Sequence, residues 1–465
     1  MVDRHRRSRC AGFARGAVGK ISAILSTAIL LCSVPAAASA RPTEVLLLTD
    51  IHLDPFADGA TADRLRRAPP FAWHAVLGKR RGTVVFPRCG ENEPVTDAAL
   101  LASAIDEIGR RRVAFTILSG DLLVHEFRCR FKAVFPDADD AAYREFAART
   151  VEFVLAEVRR ATHGKPVYLA LGNHDSGCGN YRRDDHDPFL RRIAPAVARA
   201  AGGPRQRAIA ASFAANGRYE VQAPLAGHPL SLLVVDTSLW SRRALTCNGD
   251  ARAADEGQLV WLRDRMVGLK EAGQSVWLIG HIPPGIDPRE SASAGAPVRY
   301  LRDDGLALAL AEARRPIELA LFGHTHMDEW RLFGRVPVRI SPALSPGSGN
   351  RPSFTLARLA GDGSLRDYSV ISFAAGSRSW AEDHSFSGSF GVRGFSFDTL
   401  SQLDQKMMSG NEGIMLKYKY NYSAGGTPAS PNSERWLPSL KCALSSLTNE
   451  AYALCMQQGL MGNKQ

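Results

Sequence analysis

Five apolar segments of strand length each end abruptly in a polar cluster, and this repeated pattern limits the folds open to the chain more than any other feature. The segments are 44–49, 113–119, 166–171, 275–279 and 317–322. Continuous apolar runs of this length are typical of strands that are covered on both faces. Because the carboxyl ends of such strands form the ligand-binding edge of an α/β sheet, we expect the five polar clusters to converge there.

The polar clusters contain the residue types that bind divalent metals. They are Asp50-Ile51-His52, Gly120-Asp121, Gly172-Asn173-His174-Asp175, Gly280-His281 and Gly323-His324-Thr325-His326. Carboxylates, an amide and four imidazoles together are the ligand inventory of a site with two neighbouring metals. One isolated histidine is more often a hydrogen-bonded core residue, but five strand ends of the same kind favour a metal centre. The glycines in the clusters fit sharp turns that pass close to an ion or a phosphate.

The segments around these clusters resemble the calcineurin-like metallophosphoesterases, and within them the acid sphingomyelinase-like branch. The resemblance is carried by 49–55, 119–125, 171–176, 281–285 and 323–329, and it extends from about residue 44 to about residue 375. It implies an α/β fold, a four-layer sandwich of two mixed β-sheets flanked by helices. We therefore predict a catalytic domain over 41–375 and a small, mostly helical C-terminal appendage over 376–465.

The patterns between the five segments fit this architecture. Helical periodicity occurs near 95–111, 138–162, 187–201, 251–271 and 302–314. Further strand patterns occupy 218–223, 230–236, 336–340, 354–359 and 365–371. Strands alternating with helices in the first half predict parallel pairing, and consecutive strands in the second half predict a mixed sheet.

The family resemblance also implies which side chains hold each metal. One metal would be held by Asp50, His52, Asp121 and His326, and the other by Asp121, Asn173, His281 and His324. Asp121 would bridge the pair, since a carboxylate has two acceptor oxygens. With four imidazoles and only two carboxylates, the set suits zinc, iron or manganese better than calcium or magnesium. We predict two divalent ions and favour zinc, with iron or manganese as alternatives.

The resemblance implies hydrolysis by direct attack of a metal-bridging hydroxide, with no covalent enzyme intermediate. His174 is the predicted catalytic residue that stabilises the phosphoryl charge or protonates the leaving oxygen. Asp175 would orient the His174 ring, although the family commonly has glutamate there, whose side chain is longer. His125 matches a second phosphate-facing histidine of the branch, and the arginine pair Arg182-Arg183 is close enough in sequence to reach the substrate's phosphate.

These observations predict an exported phosphodiesterase, and they leave its substrate open. Sphingomyelin-like lipids and soluble nucleotides or polyphosphates are both candidates, because no saposin-like segment is evident before the first motif. A non-catalytic exported metal-binding protein is a further alternative, which the complete ligand set disfavours. We expect loops 58–94, 283–299 and 345–352 to form the pocket walls. The sequence does not predict an oligomeric state.

The first 40 residues have the composition of a cleaved secretory signal peptide. Six basic residues within 1–20 precede an uncharged stretch over 21–40, which ends in Ala38-Ser39-Ala40. The apolar part is too short for a bilayer span, so we predict no transmembrane segment in the mature chain and a secreted or periplasmic location. Cleavage would lower the formal charge from +11 to about +6. That charge is too thinly spread to predict nucleic-acid binding.

Six cysteines remain after residue 40, which suggests three disulfides in an exported chain. Six thiols allow about 15 pairings. Cys442 and Cys455 fall in one C-terminal helical segment, and we predict that they pair. Cys89 with Cys129 and Cys178 with Cys247 would then follow by elimination.

Overall fold

Two six-stranded β-sheets form the centre of the structure, which is a computed structural model of the protein. The residues described are 43–78, 86–90, 93–184, 187–225, 229–249, 257–312, 317–374, 376–427 and 435–462. The predicted signal peptide over 1–40 lies outside these residues. The predicted domain boundary at 375 also falls on a residue outside them.

All but two of the strands, the eighth and the twelfth, follow segments predicted from the sequence. The strands are β1 Thr43–Leu48, β2 Thr116–Leu118, β3 Val167–Leu169, β4 Tyr219–Gln222, β5 Leu230–Val234, β6 Ser275–Ile279, β7 Ile317–Phe322, β8 Glu329–Phe333, β9 Val336–Ile340, β10 Ser353–Leu359, β11 Leu365–Ala374 and β12 Ser379–Ser385. The first sheet has the order β12-β11-β10-β1-β2-β3, and the second has the order β4-β5-β6-β7-β9-β8.

Both sheets are mixed, as predicted. β1, β2 and β3 run parallel, whereas β10, β11 and β12 pair antiparallel. In the second sheet β5, β6, β7 and β9 run parallel, and the two edge strands β4 and β8 pair antiparallel. Parallel pairing places the carboxyl ends of β1, β2 and β3 at one edge of the first sheet, and those of β5, β6 and β7 at one edge of the second.

Helices surround the sheets. They are α1 Gly59–Arg67, α2 Trp73–Leu77, α3 Ala98–Ile108, α4 Phe127–Val134, α5 Asp140–Ala161, α6 Pro188–Ala201, α7 Gln206–Asn216, α8 Gly257–Glu271, α9 Pro288–Ala294, α10 Gly305–Glu312, α11 Phe386–Phe390, α12 Phe397–Met408, α13 Glu412–Tyr422, α14 Trp436–Ala443 and α15 Asn449–Gly462. Aspartate caps begin several of them: Asp97 accepts from Leu100 N before α3, and Asp139 accepts from Ala142 N before α5.

Successive side chains along the central strands point to opposite faces of the sheet, which explains the layered packing. In β6, Val276 and Leu278 belong to an apolar cluster with Leu262 of α8. The neighbouring residues Trp277 and Ile279 belong instead to the larger core that contains the first sheet. A strand that is buried on both faces in this way must lie between two layers. The predicted four-layer architecture is therefore confirmed.

Strand β12 extends the first sheet beyond residue 375 into the segment predicted to be mostly helical. Ser385 and His384 lie opposite Ser369 and Val370 of β11. The rest of the described C-terminal region is helical, as predicted, from α11 to α15. It is joined to β8 by a backbone hydrogen bond of 2.8 Å from Leu332 N to Leu444 O.

Three disulfides join the six cysteines in the predicted pairs. They are Cys89–Cys129, Cys178–Cys247 and Cys442–Cys455. The first two anchor loops near the polar clusters, and the third joins α14 to α15. Within the described residues, no helix has both the length and the apolar character needed to cross a bilayer.

Candidate metal centre

The polar clusters at the strand ends of both sheets meet in one place. Asp50 N donates to Gly120 O at 2.9 Å, which joins the turns after β1 and β2. His324 N, from the turn after β7, donates to Asp50 Oδ2 at 3.0 Å and so joins the two sheets. Asp50, Asp121, Asn173 and His281 are all buried to 2% exposure or less. The convergence expected from the sequence is present.

Three side chains gather at one half of the centre. His52 Nε2 lies 3.1 Å from His326 Nε2, and Asp50 Oδ1 lies 3.4 Å from the same His326 atom. The opposite ring nitrogens are engaged elsewhere: His52 Nδ1 lies 3.0 Å from Leu123 O, and His326 Nδ1 lies 3.1 Å from Ser348 Oγ. Both Nε2 atoms are thereby aimed at the same point.

The other half gathers around His281. Its Nε2 lies 3.0 Å from Asp121 Oδ2 and 3.2 Å from Asn173 Oδ1, while its Nδ1 lies 2.6 Å from Ser119 O. Asn173 Nδ2 donates to Asn180 Oδ1 at 2.9 Å, which turns the amide oxygen of Asn173 towards His281. His324 has a ring nitrogen within 4.8 Å of ligand atoms of both Asp121 and His281.

These separations fit metal ligands. Nitrogens about 2.0–2.1 Å from a tetrahedral zinc ion lie roughly 3.3 Å from one another. Four separations in the centre, His52 to His326, His326 to Asp50, His281 to Asp121 and His281 to Asn173, run from 3.0 to 3.4 Å. Asp121 connects the halves, because its Oδ2 also lies 3.8 Å from His52 Nε2. The seven side chains predicted from the sequence therefore suit a pair of divalent cations.

Backbone strain is concentrated at these positions. Asp50, His52, Asp121, His324 and His326 all have φ between 47° and 73°, a region that non-glycine residues seldom occupy. Such conformations cost about 1–3 kcal/mol each and persist where the surrounding structure enforces them. Five of the seven candidate ligands have left-handed backbone conformations, which indicates turns that direct their side chains to a common site.

Glycines allow the turns to approach closely. A Cβ on Gly172 would overlap the carboxylate of Asp121, and one on Gly323 would overlap the Thr49 hydroxyl and approach Asp50 Oδ2. Any larger residue at either position would displace a candidate ligand. The backbone at these two glycines therefore passes close to candidate ligands, and its predicted approach to an ion or a phosphate stays a prediction.

The electrostatics of the centre keep two of its four candidate imidazole ligands, His52 and His324, neutral. Burial, aided by His125, lowers the pKa of His52 to about 4, and burial with His281 lowers that of His324 to about 3. His281 differs: burial alone would lower its pKa, but the Asp121 and Asp50 carboxylates raise it to about 10. Burial would raise the pKa of Asp121, yet His281 and His174 hold it below its usual range. Neutral imidazole is the form that binds metals.

His174 lies at the rim of the centre. Its backbone N–H donates to Asp121 Oδ1 at 2.9 Å, and its ring is 5.3 Å from that of His52 and 4.6 Å from that of His125. Burial lowers its pKa well below the ordinary value. The predicted catalytic histidine therefore borders the predicted ligands without adding a positive charge.

Asp175 does not orient the His174 ring as the sequence suggested. Its Oδ1 accepts from Leu122 N at 2.8 Å and Leu123 N at 3.2 Å, and its Oδ2 accepts from Gly172 N at 3.0 Å. The carboxylate is fully buried, and burial with Asp121 raises its pKa to about 6. It holds the turns after β2 and β3 together, and so supports Asp121 through the backbone.

His125 lies close to the candidate ligands. Its ring centroid is 4.1 Å from that of His52 and 5.7 Å from that of His326, and its ring nitrogens are within ligand distance of theirs. Arg130 fixes this position by donating Nε to His125 O at 3.0 Å. The location accommodates the predicted substrate contact at the mouth of the centre.

The two arginines of the predicted substrate contact have different surroundings. Arg183 is 4% exposed and donates to Asp236 Oδ2 at 2.9 Å and to Asp175 O at 2.7 Å, which favours a structural role over the predicted phosphate contact. Arg182 is half-buried and lines a cavity that it shares with His174. Of the two arginines, only Arg182 lies where its side chain can contact a substrate.

Three supporting residues were not predicted from the sequence. Asn180 orients Asn173, Ser348 contacts His326, and Thr237 Oγ1 accepts from His281 N at 3.1 Å. Asn180 and Ser348 lie in glycine-containing loops, where periodicity gives no signal. Thr237 follows β5, so its place after a buried strand was the one available signal.

Comparisons with known proteins agree with the fold and the motifs. The family model described as calcineurin-like phosphoesterase matches residues 43–328, and the chain belongs to this family. It is 24% identical over 343 residues to the human acid sphingomyelinase-like phosphodiesterase 3b, a match that covers 66% of this chain and 70% of that protein. The predicted resemblance to the acid sphingomyelinase-like branch is confirmed.

Two further proteins illustrate the extent of the similarity. Sphingomyelinase phosphodiesterase D of Dictyostelium discoideum is 24% identical over 265 residues, which are 52% of this chain and only 57% of that protein. A dimetal phosphatase from Danio rerio is 13% identical, with a TM-score of 0.42, and the match covers 71% of this chain and 96% of that structure.

Proposed function

We propose that the protein is an exported phosphoesterase that hydrolyses phosphodiester bonds at a centre of two divalent metals. The observation that carries this proposal is the gathering of seven potential ligands from both sheets at separations of metal-ligand size. Membership of the calcineurin-like phosphoesterase family supports the same activity. The three disulfides support export, because such bonds persist in oxidising compartments.

Each metal would have its own ligand set. Asp50, His52 and His326 would hold one ion, Asn173, His281 and His324 the other, and Asp121 would bridge the two. Two such ions supply Lewis acidity and an activated water nucleophile when bound. Zinc is our choice for both positions, since imidazoles dominate the set.

The protein's own residues would position the substrate and assist the leaving group. A water oxygen would give up a proton to solvent and bond to phosphorus while the bond from phosphorus to the leaving oxygen breaks. The leaving oxygen would keep that electron pair and take up a proton. His174, at the rim, would donate a ring N–H to the phosphoryl or the leaving oxygen, and His125 would hold a second phosphate oxygen. Asp175 and Asn180 would keep Asp121 and Asn173 in place.

Hydrolysis of bis-p-nitrophenyl phosphate by the purified protein, supplied with zinc or manganese, tests this proposal. We expect metal-dependent turnover that Asp121→Ala abolishes, because that change removes the bridging ligand. The matched control is Asp264→Ala, an exposed position on α8. A folded, metal-saturated wild type that fails to hydrolyse the diester would reject the enzyme in favour of a metal-binding protein.

A further inference from the structure

A cavity of about 470 Å³ is lined by His174, which borders the candidate ligands, and by Asn180, which holds the amide of Asn173. Its walls include three basic side chains, Arg128, Lys132 and Arg182, against one acidic side chain, Glu126. Arg128 and Arg182 lie on either side of Gly179, which has no side chain to separate them from the opening. The cavity is large enough for a small substrate group.

Covalent links fix the shape of this cavity. Cys129 and Cys178 both line it, and they belong to the separate disulfides Cys89–Cys129 and Cys178–Cys247. Arg182 Nη1 donates to Cys247 O at 3.1 Å. Because Cys247 is also bonded to Cys178, the same disulfide fixes the loop that holds Arg182. A wall held in this way loses little conformational entropy when a ligand binds.

The basic side chains keep an excess of positive charge. Arg128 Nη2 lies 2.9 Å from Asp140 Oδ1, and Lys132 Nζ lies 3.7 Å from the same oxygen, so one carboxylate serves two cations. Asp140 is itself 58% exposed, where water weakens its interaction with both. Arg182 adds a third positive charge to the cavity wall.

We propose that this cavity, which we call the Arg128–Arg182 pocket, binds a second anionic group of the substrate, next to the phosphorus that is attacked. This inference rests on the proposed function, and it assigns the substrate class. Substrates with adjacent phosphates, such as nucleoside polyphosphates, match the pocket's charge. A quaternary ammonium headgroup would face like charges there, which disfavours a phosphocholine ester in this orientation.

Paired substrates test the assignment on the full, zinc-loaded chain. ATP carries additional phosphates next to the scissile bond, whereas bis-p-nitrophenyl phosphate carries only neutral arms. In Arg128→Gln/Arg182→Gln, we expect the ratio of kcat/KM for ATP to that for bis-p-nitrophenyl phosphate to fall by about tenfold or more, since charge-assisted contacts are lost. Arg263→Gln, at an exposed position on α8, is the matched control and should keep the wild-type ratio.

Each remaining outcome is informative. If the wild type hydrolyses bis-p-nitrophenyl phosphate but not ATP, the pocket assignment fails and the proposed function stands. The same holds if both substrates lose rate equally in the double variant while its thermal melting matches the wild type. A wild type that hydrolyses neither substrate rejects the proposed function itself. Faster turnover of sphingomyelin vesicles than of ATP, unaffected by the double variant, would also overturn the assignment.

Discussion

The candidate metal centre and a neighbouring ion-pair cluster are both buried and rich in charge, but they are organised in opposite ways. The ion-pair cluster comprises Asp328, Glu329, Arg331, Arg339 and His384. In it, positive groups face carboxylates: Arg331 Nη2 lies 2.9 Å from Glu329 Oε2, and His384 Nε2 lies 2.5 Å from Asp328 Oδ2. In the metal centre, nitrogen faces nitrogen across 3.1 Å between His52 and His326.

Protonation separates the ion-pair cluster from two histidines of the metal centre, but not from His281, whose pKa is about 10. Burial would lower the pKa of His384, but Asp328 and Asp383 raise it to about 9, so it is a cation within the ion-pair cluster. His52 and His324 have pKa values of about 4 and about 3, and they remain neutral. Burial of charge alone therefore does not mark a functional site. Ring nitrogens that face one another, as those of His52 and His326 do, indicate one.

Removal of metal should produce the largest effect and should act on the metal centre alone. We expect exhaustive dialysis against EDTA to abolish diester hydrolysis and to lower the free energy of unfolding by about 4 kcal/mol relative to protein with zinc at a thousand times its Kd. Zinc should restore both. Calorimetry of Asp121→Ala with and without EDTA provides the control. If EDTA lowers the stability of this variant as much as that of the wild type, the stabilising metal binds elsewhere.

Disruption of the ion-pair cluster should destabilise the fold without emptying the metal centre. Arg339 is fully buried and donates to Asp328, Glu329 O and Thr355 Oγ1. Arg339→Met leaves a buried carboxylate without its main partner, and we expect a loss of about 3–5 kcal/mol in urea unfolding. Metal content, measured by mass spectrometry, should remain at two ions per chain. A loss of metal from this variant would show that the two regions are coupled.

Asn180 should affect metal affinity more than stability. Its Oδ1 holds the amide of Asn173, so Asn180→Leu frees that amide to rotate. We expect a 10–100-fold weaker zinc affinity in competition with a chelating dye, the usual cost of losing an orienting partner. Asn180→Asp keeps the acceptor oxygen and should retain most of the affinity. Equal affinities in the leucine and aspartate variants would remove Asn180 from the account.

The smallest effect is expected at Ser348. Its hydroxyl contacts His326 Nδ1 at 3.1 Å and can be replaced in part by water. Ser348→Ala should weaken zinc binding about two- to tenfold, as for one neutral hydrogen bond. The same competition assay measures it, with Ser293→Ala, at an exposed position on α9, as control. A hundredfold loss would mean that Ser348 contacts the metal itself.

The sequence predicts the strands with apolar patterns, but not β8 and β12, in which buried charged residues interrupt the pattern. β1, β2, β3, β6 and β7 coincide with the five apolar segments. β8 was not predicted, because Glu329 and Arg331 look like surface residues until their mutual ion pair is visible. β12 was missed for the same reason, since buried His384 is stabilised by Asp328 from another part of the chain.

The candidate site shows a similar limit. The positions of the seven predicted ligands follow from motifs at strand ends, and the structure brings these side chains together. The surroundings of Asp175 could not be predicted, because its partners are backbone N–H groups of Leu122, Leu123 and Gly172 that only the folded turns bring near. The burial of Arg183 depends likewise on Asp236, 53 residues further along the chain.

Anomalous diffraction at the zinc edge, from crystals of the zinc-loaded protein, tests the central claim most directly. The account predicts two peaks joined by the Asp121 carboxylate, one beside His52 and His326 and the other beside His281 and Asn173. A single peak, or a peak at the ion-pair cluster beside His384, would contradict it.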